Sequence, residues 1–254
     1  MSWRKTYDGA RPMRVNKWLA QEGLCSRRKA DALIADGLVL IDGARVADAG
    51  RKIEPGQTLS LEGKAQKQLA SAISVVINKP VGLVSGQPEP GQIPAARLLT
   101  RANLSGAGAA PSAKASLAPL GRLDQDSHGL LLLSEDGVLA KAVIGPTSKL
   151  DKEYVVRVAG PVNDRKLALL RQGLELDGRQ LKPAKVKLVA AQTLRFILLE
   201  GRNRQIRRMC ELVNLEVRDL CRVRIGPLSL GNLPEGKWRP LAREERAALL
   251  QASV

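Results

Sequence analysis

Gly121-Arg-Leu-Asp-Gln-Asp-Ser-His-Gly-Leu-Leu-Leu-Leu-Ser-Glu-Asp-Gly137 is the stretch from which the rest of the chain is read. A glycine-flanked segment bearing Asp124 runs straight into four leucines, Leu130 to Leu133. Four leucines bounded by Gly129 on one side and Asp136-Gly137 on the other predict a buried strand. Asp124 is therefore expected on a loop whose far end is anchored in the core, the placement a catalytic carboxylate requires.

The 254 residues suffice for one medium domain and a small one, and a hydrophobic content of 44% argues against global disorder. The charge is lopsided: 41 Lys+Arg against 25 Asp+Glu give +16. Such an excess points to a polyanionic partner. A membrane surface is the competing reading, but with no long apolar span and no basic amphipathic anchor nucleic acid is favoured. Cys25, Cys210 and Cys221 lack metal-site spacing and His128 is the single histidine, too little for a zinc site or a disulfide framework. The start has no signal-like apolar run, so a cytoplasmic protein with reduced thiols is expected. Only six aromatic residues are present, so any base-stacking surface rests on very few side chains.

Asp124, Asp126, His128, Gly129 and Glu135 fit positions 1, 3, 5, 6 and 12 of a calcium loop. His128 is a poor ligand for a hard cation, position 9 is Leu132, and a strand follows where a helix should. No metal is expected, and His128 is read as a loop residue without a catalytic task. No Gly-x-Ser-x-Gly elbow supports a Ser-His-Asp triad.

Along the chain, residues 1–12 read as a mobile basic tail. Val15, Trp18 and Leu19, then Ala30, Leu33 and Ile34, predict two short amphipathic helices, the second capped by Ser26. Leu38-Val-Leu-Ile41 and Ala44-Arg-Val46 predict a hairpin closed at Asp42-Gly43, and Thr58-Leu-Ser-Leu61 a further strand. Residues 63–72 read as a polar, alanine-rich linker. Residues 75–80 open a second domain as a strand stopped by Pro80. Further strands are predicted at 153–159, 185–190 and 194–199, and a flexible Ala/Gly/Ser/Pro-rich insertion at 101–119. The domain bounds are 13–62 for the small module and 73–245 for the large one, with 246–254 as a C-terminal tail.

A second constellation is Glu200-Gly-Arg-Asn-Arg-Gln-Ile-Arg-Arg-Met-Cys-Glu211. Ile206, Met209, Cys210 and Val213 form the apolar stripe of a helix, with Arg204, Arg207 and Arg208 projecting away from it. A helix N-terminus behind Gly201, with four arginines between 202 and 208, predicts a phosphate site rather than a merely solvated face.

Gly-Arg-Leu-Asp, three residues, then Gly-Leu-Leu-Leu-Leu resembles the active-site motif of RNA pseudouridine synthases of the RsuA type. Residues 14–62 resemble the small RNA-binding "S-four" domain, on Lys17-Trp-Leu-Ala20, Gly23, Ser26-Arg-Arg28, Ala30, Leu33-Ile34, Gly37 and the Asp-Gly turn. Asn78-Lys-Pro-Val-Gly82 matches the usual entry into the catalytic domain, and the arginine-rich segment matches the family's C-terminal motif. The resemblance covers about residues 14 to 241. It implies an α+β architecture: the small module tethered before a mixed, largely antiparallel-sheet catalytic domain.

The resemblance also implies roles. Asp124 is the indispensable aspartate, Arg207 the arginine that pairs with it, and Tyr154 the tyrosine that stacks on the target base. On the residues alone, Tyr154 on an apolar strand reads as core. Arg14, Lys17, Arg27, Arg28 and Lys29 of the module, with Arg122, Arg202, Arg204 and Arg208, are the RNA-contact candidates. The reaction breaks the ribose–uracil nitrogen bond, turns the base and rejoins it through carbon. No electrons or phosphate groups move, so no cofactor is expected. The carboxylate either attacks the anomeric carbon or takes a sugar proton. The branch resembled most modifies large-subunit (23S) rRNA and, in some members, a tRNA anticodon loop. A monomer acting on such RNA is expected. A small-subunit (16S) rRNA enzyme and a non-catalytic RNA-binding protein are the alternatives, and retention of Asp124, Tyr154 and Arg207 together favours the enzyme.

Overall fold

Leu130, Leu131 and Leu132 are wholly buried and Leu133 is nearly so. They lie on a strand, His128–Ser134, covered on both faces, which explains why its sequence runs apolar without alternation. Each buried leucine contributes roughly 1.5–3 kcal/mol relative to an exposed one, so this strand anchors whatever precedes it. The computed structural model describes residues 3–112 and 115–253.

The N-terminal module comprises β1 (Arg4–Thr6), α1 (Val15–Gln21), α2 (Arg27–Ala35), β2 (Val39–Ile41), β3 (Ala44–Arg45), β4 (Thr58–Leu61) and α3 (Gly63–Ala70). Its sheet runs in the order β1-β4-β2-β3. Ser26 caps α2 by accepting from the Lys29 N–H at 3.2 Å. Asp42 and Gly43 both take positive φ, as the tight hairpin turn demands.

The catalytic domain is built on a nine-stranded sheet. Its strands are β5 (Ser74–Lys79), β6 (Ala118–Pro119), β7 (His128–Ser134), β8 (Lys152–Ala159), β9 (Lys185–Ala190), β10 (Thr193–Leu198), β11 (Glu216–Ile225), β12 (Leu228–Ser229) and β13 (Trp238–Pro240). The order is β9-β10-β8-β11-β7-β5-β13, with β6 beside β7 and β12 beside β11. All pairings are antiparallel except β7 with β11, where Gly129 faces Arg222. A side chain at 129 would run into the Arg222 backbone, and φ there is +99°, so this crossing needs glycine.

Helices α5 (Asp164–Gln172) and α6 (Gln205–Leu212) cover one face, packing with Leu131, Leu133 and Tyr154. Helices α4 (Gly137–Ile144) and α7 (Arg243–Ala252) cover the other, packing with Leu130 and Leu132.

Several boundaries differ from the sequence reading. Residues 4–6 of the expected mobile tail pair with β4, because Trp3 and Tyr7 close edge-on over Trp18 in the module's core. The expected linker 63–72 is largely helix: its residues are good helix formers, and Ala65 and Leu69 dock on the module. The expected C-terminal tail continues α7, which buries Leu249. The insertion 101–119 is tied down where described. Trp238 donates its indole N–H to Thr100 O, Ser105 N–H bonds Trp238 O, and Ser116 N–H bonds Glu135. His128 opens β7 instead of lying in a loop, its Nε2 3.0 Å from Asp219.

The module is seated on the catalytic domain at the start of α4. Cys25 bridges to Asp136, whose carboxylate caps α4 and accepts from Arg246 of α7 at 2.6 Å. A Cβ at Gly137 would overlap the Leu24–Cys25 backbone. Gly137→Val is therefore expected to unseat the module at a cost of about 1–3 kcal/mol. Small-angle scattering should show a larger radius of gyration with helix content retained; an unchanged radius would mean the seat tolerates a side chain.

Candidate active site

Asp124 stands in a cleft of about 580 Å³ whose lining includes Arg122, Lys152, Tyr154, Arg204, Arg207 and Arg222. The loop carrying it is clamped on both sides. Before it, Ser85 Oγ donates to Leu123 O at 2.7 Å and accepts from Leu123 N–H at 2.8 Å. After it, Gly82 N–H donates to Gln125 O at 2.8 Å. The segment that opens the catalytic domain thus holds the aspartate loop from below. The Asp124 side chain is 36% exposed, so it reaches solvent and substrate from a fixed backbone.

Lys79, fully buried at the end of β5, stiffens that support. Its ammonium donates to Pro80 O and Leu83 O at 2.8 and 2.7 Å. Burial pushes its pKa down from 10.5 to about 8, and the negative charges of Asp126 and Asp124 resist the shift. The folded protein releases this proton before the unfolded chain does. Lys79's contribution to stability is therefore least favourable below pH 8 and becomes more favourable as the pH rises from about 8 to 10.5. Chemical denaturation of the wild type and Lys79→Met across this range should show their stability difference shifting toward the wild type. A parallel pair of curves would refute the buried charge.

The expected Asp124–Arg207 pair does not form. Arg207 sits at the base of α6 with its side chain only 10% exposed, so it points inward instead of projecting away from the apolar stripe. Its Nη2 donates to Asp126 O at 2.7 Å and to Ser127 Oγ at 3.3 Å. Its Nε lies 3.3 Å from Asp126 Oδ2 but off the bonding direction, leaving that buried N–H without a partner. Arg204 occupies the outer position. It adopts left-handed backbone angles at the helix N-cap and grips Asp126 with both Nη atoms, at 3.2 and 2.9 Å, with Nη1 3.9 Å from Asp124. The physical reason is local: the turn after Asp124, closed by Ser127 N–H to Asp124 O, delivers Asp126 to the two guanidinium groups. Desolvation works to raise the Asp126 pKa, yet the Arg204 hydrogen bond and the two arginine charges outweigh it and hold the carboxyl below its usual value.

Other predicted contacts are placed differently. Arg202 clasps the carbonyls of Leu176, Arg179 and Gln180, and Arg208 is bidentate to Asp177, at 2.9 and 2.6 Å. Both pin the 175–180 hairpin. Arg122 is exposed at the cleft, and in the module Arg14, Arg27 and Arg28 are exposed while Lys17 and Lys29 are half-buried. Tyr154 reconciles its two readings: it is 9% exposed within the core and yet lines the cleft. No group of three or more His, Cys, Asp or Glu side chains that could hold a metal occurs among the described residues.

Arg222 escaped the sequence reading. It is 1% exposed, directly across from Tyr154, and its guanidinium donates to Leu130 O, Arg122 O and Gly121 O at 2.8, 3.3 and 3.2 Å. It ties the front of the aspartate loop to the leucine strand. Its strand pairs with β8 through two register shifts, so period-two alternation is broken and the charged run Glu216–Ile225 gives no strand signal.

The profile of the RNA pseudouridylate synthase family matches residues 73–212, and that of the S4 domain residues 13–59. The chain is 35% identical over 235 residues to the dual-specificity RNA pseudouridine synthase RluF of Escherichia coli strain K12, covering 92% of this chain and 77% of that one. It is 33% identical over 245 residues to an uncharacterized RNA pseudouridine synthase of Aquifex aeolicus, covering 94% of each. It superposes on the crystal structure of a pseudouridylate synthase with a TM-score of 0.64 and 25% identity, over 93% of this chain and 99% of that one. The aspartate loop and the arginine helix fall inside the first profile, most of the module inside the second, and the relatives match across both: the chain belongs to the RNA pseudouridine synthases.

Proposed function

We propose that this enzyme isomerises a uridine of large-subunit rRNA, with a tRNA anticodon loop as a second target, and acts as a cytoplasmic monomer. The supporting observation is the cleft itself: one fixed, half-exposed carboxylate beside a single tyrosine, within a rim of arginines and lysines. Asp124 attacks the anomeric carbon or takes the sugar proton, and Tyr154 packs on the uracil while it turns. The base detaches at nitrogen, rejoins through carbon 5, and the proton leaving that carbon is balanced by one gained at nitrogen. Arg204 and Arg207, spent on Asp126, brace the loop, so Asp124 is not neutralised by a close bidentate partner. The basic face of the module, with Arg14, Lys17, Arg27, Arg28 and Lys29, meets phosphates. Arg122 does the same in the cleft, and Arg202, Arg204 and, beside the cleft, Arg208 do so by adding a phosphate to the partners they already hold.

The dual specificity in the name of the Escherichia coli relative supports the two-RNA reading. Among the described residues no helix is long and apolar enough to cross a membrane. Mapping pseudouridines in rRNA and tRNA from cells with and without this protein tests the assignment. Loss of one large-subunit site supports it; loss confined to small-subunit rRNA would overturn it.

A further inference from the structure

Removing a base from a stack bares the faces of its two neighbours, and proteins that bind unstacked nucleotides commonly cover such faces with aromatic rings. This chain has almost none to offer. Trp3, Tyr7 and Trp18 are engaged edge-to-face with one another in the module. Phe196 and Trp238 are wholly buried, and Tyr154 lies in the cleft, where the target base is placed.

Two aliphatic side chains stand where rings would be needed. Ile144 and Leu199 are 50% and 51% exposed, and both line the cleft. Among the described residues, no other exposed large hydrophobic side chain does so. Scattered exposed aliphatics need no explanation, but these two sit in a lining rich in charge, with Arg122, Lys152, Lys182, Arg202 and Arg204 among it. Those charges meet phosphates, and an arginine plane can also lie on a base, but only the two aliphatic side chains offer a base face contact that needs no desolvated charge.

Their positions in the fold are complementary. Ile144 ends α4, with its Cγ2 3.7 Å from where a Cβ on Gly121 would stand, so it rides on the glycine that opens the aspartate loop. Leu199 follows β10, which lies three strands from β7 in the sheet order. Tyr154 on β8 and Arg222 on β11 lie between in that order.

We infer that Ile144 and Leu199 form an apolar lip that bears on the bases flanking the target uridine and holds the RNA stack open. The inference rests on the proposed reading of the cleft as the uridine's seat. The lip acts on the cost of extruding the base and not on the isomerisation, and this difference makes it testable.

Ile144→Ser, Leu199→Ser and the double variant are assayed for kcat/KM on two RNA hairpins. One carries the rRNA uridine that the wild type converts, base-paired in its stem; the other is identical except that mismatches leave that uridine unpaired. Each single change should lower kcat/KM about tenfold on the paired hairpin and less than about twofold on the unpaired one. Ile144→Leu and Leu199→Met should restore most of the loss, and melting temperatures should confirm that these surface changes leave the fold intact. Equal losses on both hairpins, or no loss on either, would overturn the lip. A wild type that converts no rRNA uridine would fail the reading of the cleft itself, and the inference would fall with it.

Discussion

Asp124→Asn is expected to abolish isomerisation, by about ten-thousand-fold or more, while the fold and RNA affinity stay close to those of the wild type. Asparagine keeps the side-chain shape but is neither a nucleophile for the anomeric carbon nor a base for a sugar proton. The backbone of the loop is held by Ser85, Gly82 and Arg222 and does not depend on the Asp124 carboxylate, so the loop keeps its place. Asp126→Asn makes the informative control. It loses ion pairs to Arg204 and Arg207 but keeps the main-chain carbonyl that Arg207 grips, so it should slow the reaction only roughly tenfold through loosened geometry. Conversion of a radiolabelled RNA and filter binding, measured in parallel, separate the two. Substantial turnover by Asp124→Asn, or a deeper loss at Asp126, would assign the chemistry to the wrong acid.

Arg222→Met should be the most damaging change outside the reacting groups. The guanidinium is buried, and its three carbonyl partners belong to the aspartate loop and the leucine strand. Removing it leaves buried acceptors unsatisfied, at about 1–3 kcal/mol each, partly offset because a desolvated charge is removed as well. We expect a stability loss of about 3 kcal/mol and a fall in kcat of roughly a hundredfold with KM little changed, because the loop carrying Asp124 is displaced rather than the RNA surface. Arg222→Lys keeps the charge but only part of the hydrogen-bond fork and should recover a fraction of both losses. Equal loss of stability without loss of kcat would reduce Arg222 to a packing residue.

How much was legible beforehand follows from the range of the interactions. The leucine strand, the Ser26 cap, the Asp42-Gly43 turn and the apolar stripe of α6 were all readable, since each depends on neighbours within a few residues. The structured N-terminus and the helical 63–70 segment were not, because their order comes from docking on surfaces distant in sequence.

The same division runs through the site. Sequence alone determined that a carboxylate at 124 would stand on a loop hung from a buried strand, that a basic helix start would follow a strand, and that the partner would be a polyanion. Tertiary structure decided the wiring between them. Arg207 turns inward and grips Asp126, Arg202 and Arg208 are drawn to the 175–180 hairpin, and Arg222 enters the core to bind the aspartate loop. An arginine's partner is chosen within a few ångströms at the end of a long, flexible side chain, whereas a strand or helix is chosen by the periodicity of its own residues. Periodicity is written locally in the chain, and the pairing of an arginine with a carbonyl 80 to 100 residues away exists only once the sheet has brought them together.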